Sequence, residues 1–190
     1  MNVETVEEND DVLKIRIDGI NEAIANSLRR SMVTKVPTLA TKELYVSKNE
    51  SGLIDEILSN RVGQIPFTIP DSFEEGDELN IALQQEGPGT VLAEDIKSDN
   101  EEAEPVNPEI AVVDLKEDQA LKFEGKAVLG RGKDHAKHQG GTVGYEKEEE
   151  GSYLFRIEST SGYTNEELLE EAISQIKEDL DSFEEAVAEL

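Results

Sequence analysis

The sequence predicts an α+β fold in which a discontinuous α/β domain is interrupted by a mostly β insertion. A strand pattern followed by a helix pattern opens the chain, and the same order of patterns closes it. Short alternating segments, broken by turn residues, occupy the middle. The chain has 190 residues, which suffice for one ordinary core or two small ones. We therefore expect both termini to close a single domain around the insertion.

The first strand and helix are well marked. Residues 12–18 alternate apolar and charged side chains, which is the period of a half-buried strand. Asp18 or Asn21 then offers a capping oxygen, and Pro37 forbids continuation of the helix. The apolar residues between them recur every four positions: Ile20, Ile24, Leu28 and Met32. This spacing predicts one amphipathic helix.

The middle of the chain has short elements and clear turns. Gly87-Pro88-Gly89 predicts a turn, and the acidic segment 98–104 predicts an exposed loop because it lacks large apolar residues. The predicted strands are 44–46, 79–83, 110–115 and 121–129, and the predicted helix is 54–61. A glycine-rich basic island, Gly130 to Gln139, follows the last of these strands.

The last part of the chain predicts a strand over 153–157 and then a long helix. Thr164 and Glu167 have the spacing of a capping box, which marks the start of that helix. Its apolar residues recur at alternating spacings of four and three: Leu169, Ile173, Ile176, Leu180, Phe183, Val187 and Leu190. This heptad pattern is compatible with packing against another helix. The alternative is that the stripe lies on the chain's own sheet.

The charge of the chain is strongly negative, with 44 acidic and 18 basic residues and a formal net charge of −26. The acids are spread along most of the chain, which favours adaptation to a saline cytoplasm, where salt screens repulsion. An acidic partner-binding or nucleic-acid-mimicking surface is the alternative. No apolar run is long enough to span a bilayer, and the first residues are acidic where a signal peptide would be basic. We therefore expect a cytoplasmic protein without a membrane segment.

Candidate sites for chemistry are few. The chain has no cysteine, which excludes disulfides, thiolate zinc sites and iron–sulfur clusters. Its only histidines, His135 and His138, have neighbouring lysines that oppose a metal cation. The glycines of the basic island do not have the spacing of a phosphate-binding loop, and its small net positive charge is weak for nucleic-acid binding. We therefore expect no catalytic residue, no metal, no cofactor and no sequence-specific contact with nucleic acid.

Five ordered segments nevertheless resemble a known family. They are Asn26 to Ser31, Asp55 to Pro66, Gly87 to Val91 with Glu94 to Ile96, Pro105 to Ile110, and Gly132 to Lys137. Together they resemble the D family of archaeal RNA polymerase subunits, which is related to the bacterial alpha N-terminal domain and to the third-largest subunit of eukaryotic polymerase II. The resemblance covers nearly the whole chain.

The resemblance implies different roles for two parts of the chain. Residues 1–41 and 146–190 would form a dimerisation domain, and residues 42–145 an inserted subdomain. The family pairs with subunit L, recruits the small subunits N and P and docks the second-largest catalytic subunit. The implied dimer contacts are Ile24, Leu28, Leu169, Ile173, Ile176, Leu180, Phe183 and Val187. The implied contacts to larger subunits are Arg29, Arg30, Lys133, His135 and Lys137.

Two departures from the family pattern matter. His138 stands where the family often has Trp. Many members carry a cysteine-rich iron–sulfur subdomain, which a chain without cysteine cannot build. The catalytic Mg²⁺ of the family belongs to other subunits, so we expect no nucleotidyl-transferase activity from this chain alone. The alternatives are a stand-alone acidic module that self-associates through the C-terminal helix, and an enzyme built on the His135 loop.

Overall fold

A computed structural model describes residues 1–9 and 11–189. The strands are β1 (Asn2–Glu8), β2 (Leu13–Asp18), β3 (Pro37–Asn49), β4 (Pro66–Phe67), β5 (Glu78–Glu86), β6 (Gly89–Leu92), β7 (Lys97–Ser98), β8 (Ala111–Leu115), β9 (Ala120–Arg131), β10 (Gly141–Glu149) and β11 (Ser152–Ser159). The helices are α1 (Glu22–Thr34), α2 (Asp55–Gly63) and α3 (Asn165–Ala188), with single turns of 3₁₀ helix at Ala93–Asp95 and Ala136–His138. The fold is α+β, as predicted.

The chain divides into two compact units. Unit 1 contains Met1–Pro37 and Arg131–Leu190, and unit 2 contains Thr38–Gly130. Unit 2 is thus inserted between the two halves of unit 1. Its limits differ from the expected insertion, residues 42–145, chiefly at the second boundary. There β10 pairs with β11 from Gly141↔Ser159 onward, which places the strand in the sheet of unit 1.

Unit 1 has a four-stranded antiparallel sheet in the order β1-β2-β11-β10. The central pair, β2 and β11, aligns Ile15 with Phe155 and Ile17 with Tyr153. Alternate residues of these strands are buried, which confirms the two strands predicted from period-2 patterning. The buried core of the unit consists of Leu13, Ile15, Ile17, Ile20, Ala25, Leu28, Met32, Val36, Val143, Tyr153, Phe155, Ile157, Leu168 and Ala172.

Both helices of unit 1 begin at capped residues. The side chain of Asn21 accepts a hydrogen bond from the Ile24 amide at 3.0 Å. In α3, the Thr164 hydroxyl accepts from the Glu167 amide at 3.2 Å, and the Glu167 carboxylate accepts from the Thr164 amide at 2.8 Å. Amides that the first turn leaves unpaired are satisfied in this way. The predicted capping box and the predicted first helix are confirmed.

Unit 2 contains a five-stranded sheet in the order β4-β3-β9-β5-β7, the two-stranded pair β6-β8 and helix α2. Strands β5 and β9 pair antiparallel along the length of β5, from Glu78↔Val128 to Glu86↔Ala120. The largest fully buried side chains of the unit are Leu39, Leu58, Ile65, Phe67, Leu79, Leu121 and Phe123. They belong to a single core cluster that contains residues of α2, β3, β5, β8 and β9.

In the insertion, the types of the elements agree with the sequence-based predictions better than their limits do. Helix α2 matches the predicted 54–61, but the strand expected at 44–46 runs from Pro37 to Asn49. The segment 98–104, expected to be an exposed loop, contains a buried alanine, Ala103. The Ser98 hydroxyl donates to the Ala103 carbonyl at 2.8 Å, so the loop folds inward there.

Candidate docking surfaces

Helix α3 packs against the core of unit 1 by its first half only. Leu168 and Ala172 are buried, and the buried Ser31 hydroxyl of α1 donates to the Ala172 carbonyl at 2.9 Å. Leu169 and Ile176 pack at the edge of the same core. An ion pair between Lys35 and Asp179 ties the end of α1 to the middle of α3. The first half of α3 is therefore part of the fold of unit 1.

The second half of α3 is entirely exposed. Every residue in the segment 177–189, which we call the distal segment, is exposed to solvent. It includes three large apolar side chains, here called the distal stripe: Leu180 is 61% exposed, Phe183 68% and Val187 48%. The predicted heptad seam thus continues where the chain has no core to cover it. Leu190, the last residue of that predicted seam, lies outside the described residues.

The other predicted dimer contacts fall into two groups. Ile24 on α1 is 51% exposed, and Ile173 on α3 is also exposed. Leu28, in contrast, belongs to the core of unit 1 and is only 8% exposed. Its side chain therefore offers little surface to a partner, although the resemblance implied a dimer contact there.

The basic island forms a loop, residues 131–139, that is fixed to the end of α1. The Lys133 amide donates to the Thr34 carbonyl at 3.0 Å. The backbone of Gly132 comes so close to α1 that a Cβ there would lie 2.3 Å from the Val33 carbonyl oxygen. Glycine is thus required at that position by close approach of two backbone segments. The loop has a defined place on unit 1.

The side chains of this basic loop differ in exposure. Lys133 and His135 are exposed, Lys137 is half-buried, and His138 is buried within unit 1. His135 Nδ1 accepts from the Lys137 amide at 3.2 Å, which starts the single 3₁₀ turn. The two histidines therefore occupy different environments. In residues 1–9 and 11–189, no cluster of three or more His, Asp or Glu side chains has the geometry of a metal site.

The two predicted arginine contacts on α1 also point outward. Arg29 is half-buried, and its guanidinium donates to Asn26 Oδ1 at 3.2 Å, while Arg30 is exposed. Consecutive residues are about 100° apart around a helix, so the pair covers a broad arc of the surface of α1. Both guanidinium groups can donate to a partner's carboxylates or carbonyls from this surface.

The outer face of the unit 1 sheet carries ion pairs that the sequence did not reveal. Arg16 Nε donates to Glu148 Oε2 at 2.6 Å, and this hydrogen bond lowers the pKa of Glu148. Lys14 donates to Glu7 at 2.6 Å and lowers the pKa of that carboxyl in the same way. These partners come from different strands, and the partner of Arg16 is 132 residues away in sequence, so spacing alone gave no signal.

The resemblance segment Asp55 to Pro66 has both a structural and an exposed part. Leu58, Val62 and Ile65 are buried in unit 2. Arg61 Nη1 donates to the Val112 carbonyl at 2.9 Å, which ties α2 to β8. Ile54, the N-cap residue of α2, is 65% exposed, and Ile57 in its first turn is also exposed. We had predicted no role for these two residues.

Comparison with known proteins identifies the family. Residues 41–145 match the family model described as the RNA polymerase Rpb3/RpoA insert domain. The chain is 45% identical over 130 residues to DNA-directed RNA polymerase subunit Rpo3 of Natronomonas pharaonis, a match that covers 68% of this chain and 53% of the relative. It is 35% identical over 161 residues to Rpo3 of Methanocaldococcus jannaschii, covering 85% of this chain and 83% of the relative. The chain belongs to the archaeal Rpo3 family of RNA polymerase subunits.

The resemblance drawn from the ordered motifs, to the archaeal D family, is thereby confirmed as a family assignment. The Rpo3 relative from Pyrococcus furiosus is 44% identical over 150 residues, covering 75% of this chain and 58% of the relative. The chain thus spans little more than half the length of this relative and of the Natronomonas one. Among the described residues of this Rpo3 family member, no helix is long and apolar enough to cross a membrane.

Proposed function

We propose that this chain is a non-catalytic subunit on which archaeal DNA-directed RNA polymerase is assembled. In this role it forms a heterodimer with subunit L, recruits the small subunits N and P, and docks the second-largest subunit. The observation that carries the proposal is the exposed distal stripe on α3 in a chain of the Rpo3 family. The proposed place of action is the cytoplasm.

The distal stripe has the chemistry of a permanent contact. Three large apolar side chains exposed along one helix do not stabilise a monomeric protein. Each leaves apolar surface in contact with water that a partner would bury. Full burial of one such side chain contributes about 1.5–3 kcal/mol. Leu180, Phe183 and Val187 recur at spacings of three and four, which suits packing against another helix.

The edges of the stripe define how far the dimer contact extends. Ile173 continues the exposed apolar row toward the anchored half of α3, and Ile24 adds an exposed apolar side chain on α1. Leu169 and Ile176 are partly covered by the core, and Leu28 is buried within it. In the proposed heterodimer, the distal stripe, Ile173 and Ile24 supply the direct contact, whereas the other three hold the helices in position.

The basic loop is the proposed contact to a larger subunit. Lys133 and His135 are exposed on a loop whose backbone is fixed to α1, and Arg30 is exposed on α1 itself. Lys133 and Arg30 supply cationic donors for carboxylates of a partner, and a fixed backbone removes the backbone part of the entropy cost of binding. In a chain with a net charge of −26, this is a local surface that an acidic partner can approach.

Co-expression with subunit L tests the proposal. The two chains are produced together in about 2 M KCl, which screens repulsion without removing hydrophobic contacts, and the purified species is measured by light scattering. The expected result is a 1:1 heterodimer that then captures subunits N and P. A homodimer, or a monomer that does not bind L, would contradict the platform role. The homodimer would favour the alternative, a self-associating acidic module outside the polymerase.

A further inference from the structure

We propose that the distal segment of α3 is a salt-controlled folding switch: it is helical at high ionic strength or when covered by a partner, and unwinds at low ionic strength while unit 1 stays folded. The first part of this inference concerns the free chain and stands without the proposed function. The part that concerns a partner rests on the proposed contact with subunit L.

The switch begins where tertiary packing ends. Up to Ile176, α3 is held by the core of unit 1 and by the hydrogen bond from Ser31 to the Ala172 carbonyl. From Lys177 to Glu189 every residue is exposed. The surface ion pair of Asp179 with Lys35 joins the start of this part to the end of α1. Most helical stability in proteins comes from tertiary packing, so the distal segment depends on its own local interactions.

Those local interactions are mainly repulsive. The distal segment carries six acids and one base. Residues three or four apart are neighbours on a helix, and like charges at these spacings destabilise it. Four such acidic pairs occur: Glu178 with Asp181, Asp181 with Glu184, Asp181 with Glu185, and Glu185 with Glu189. A single opposite pair at this spacing, Lys177 with Asp181, opposes them.

The helix dipole acts in the same direction. The C-terminal end of a helix carries partial negative charge, which favours cations and disfavours anions within the last turn. Here the last turn contains Glu185 and no basic residue, and Glu189 follows at the C-cap. The first turn, in contrast, has Glu166 and Glu167 at the positive end, where acids are favourable. The acids near the start of α3 therefore stabilise the helix, whereas those near its end destabilise it.

Salt removes most of this penalty. The neighbouring side chains on a helix lie about 5–6 Å apart, within the Debye length of about 10 Å at 0.1 M salt but beyond the roughly 3 Å at 1 M. Screening also weakens the attractions of Lys35 with Asp179 and of Lys177 with Asp181, but these are two attractions against four repulsions. High salt therefore favours the helical distal segment, and with it a continuous distal stripe for a partner to bind.

Amide hydrogen exchange of the complete chain, followed by mass spectrometry, tests the switch. The chain is compared at about 2 M KCl and at the lowest KCl concentration at which β11 remains protected, so that global unfolding does not enter. At the lower concentration the amides of 178–188 are expected to exchange more than about tenfold faster than at 2 M KCl, while those of 168–176 change little. An equal change of the amide exchange rate with salt in the two halves of α3 would overturn the proposal.

Two matched variants separate local charge from other effects of salt. Glu185→Lys converts two of the repulsive pairs into attractive ones and places a cation near the helix end, so it should protect 178–188 at low salt. Glu170→Lys makes the same charge change on an exposed residue of the anchored half. It should leave the rate of amide exchange in the distal segment as high as in the wild-type chain. Protection by both variants, or by neither, would contradict the assigned cause.

Addition of purified subunit L to the wild-type chain at the lower salt concentration gives a second readout. Protection of 178–188 on addition of L supports folding of the segment on the partner. Binding of L with the segment still unprotected would overturn the partner part of the switch while leaving the proposed heterodimer intact. Failure of L to bind at either salt concentration would count against the proposed function, not against the salt response of the free chain.

Discussion

The Ser31 hydroxyl donates a 2.9 Å hydrogen bond to the Ala172 carbonyl, and both residues are fully buried. This bond joins α1 to the anchored half of α3 and fixes the point from which the distal segment extends. A polar side chain on the buried face of α1 is thereby satisfied, as burial requires.

Replacement of Ser31 by alanine is expected to lower the free energy of unfolding by about 1 kcal/mol, because one buried hydrogen bond is lost. Equilibrium denaturation measures the change. Ser27→Ala is the matched control, since Ser27 is exposed on the same helix and shares the same gain in helix propensity. Equal stability of the two variants would show that the bond between the helices contributes nothing.

Replacement of Gly140 by alanine should destabilise unit 1 by about 1–3 kcal/mol through overpacking. A Cβ at this position would lie 2.4 Å from the Met32 carbonyl oxygen and 2.6 Å from a Leu168 methyl carbon, so the contact of the basic loop with α1 and α3 must open. Thermal unfolding gives the measurement. Gly144→Ala, which has open space around it, is the control; a similar shift in both variants would contradict the close approach.

Replacement of Arg16 by glutamine should raise the pKa of Glu148 toward its ordinary value of 4.5, because the hydrogen bond from Arg16 is the main cause of the lowered value. A carboxyl with a lowered folded-state pKa contributes stability above 4.5, and that stability is lost as pH falls through the folded value. Titration followed by carbon-detected NMR of the Glu148 carboxyl tests this directly. Arg30→Gln serves as control, and an unchanged Glu148 titration in Arg16→Gln would refute the assigned cause.

Reversal of charge at Lys133 is expected to impair capture of the second-largest subunit while leaving the heterodimer with L intact. Lys133→Glu replaces an exposed cation of the basic loop by an anion, which repels an acidic partner surface. The measurement is reconstitution of the polymerase from separate subunits. Lys116→Glu makes the same change on an exposed residue of unit 2. Undiminished assembly with Lys133→Glu would remove the basic loop from the proposed interface.

Elements with strong periodicity could be predicted from the sequence. The alternation of Leu13, Ile15 and Ile17 predicted β2 because one face of that strand is buried. The capping box at Thr164 predicted the start of α3 because the signal is local. Helix α2 was also found near its true limits. In each case the pattern along the chain reflects the side that faces the core.

Strands that are defined by their pairing with other strands, and not by a burial pattern, were not predicted. Every residue of β1 is exposed, so the strand carries no burial pattern, and it is defined by its pairing with β2. Strand β10 follows a glycine-rich stretch and aligns Val143 with Ile157 of β11. Because of this pairing the compact unit 2 ends at Gly130, whereas the expected insertion and the match to the family's insert domain both end at residue 145. Such pairings depend on contacts that spacing does not encode.

The sequence predicted the apolar stripe of α3 but not which part of it is exposed. The heptad stripe indicated a surface for another helix, and its distal part is indeed exposed. The stripe did not indicate which of its members the chain's own core would cover, and Leu169 and Ile176 pack at the edge of that core. The division depends on where α1 and β11 meet α3, which is a property of the tertiary fold.

The most direct test of the central claim is the affinity of subunit L for two matched variants, measured by calorimetric titration in about 2 M KCl. Phe183→Asp removes a 68% exposed apolar side chain from the distal stripe, and Ile54→Asp removes a 65% exposed one from the N-cap position of α2. Loss of a central interface anchor typically costs about 2 kcal/mol or more, about 30-fold in affinity. We expect that loss for Phe183→Asp and wild-type binding for Ile54→Asp. Unchanged binding of L by Phe183→Asp would rule out the distal stripe as the contact with L.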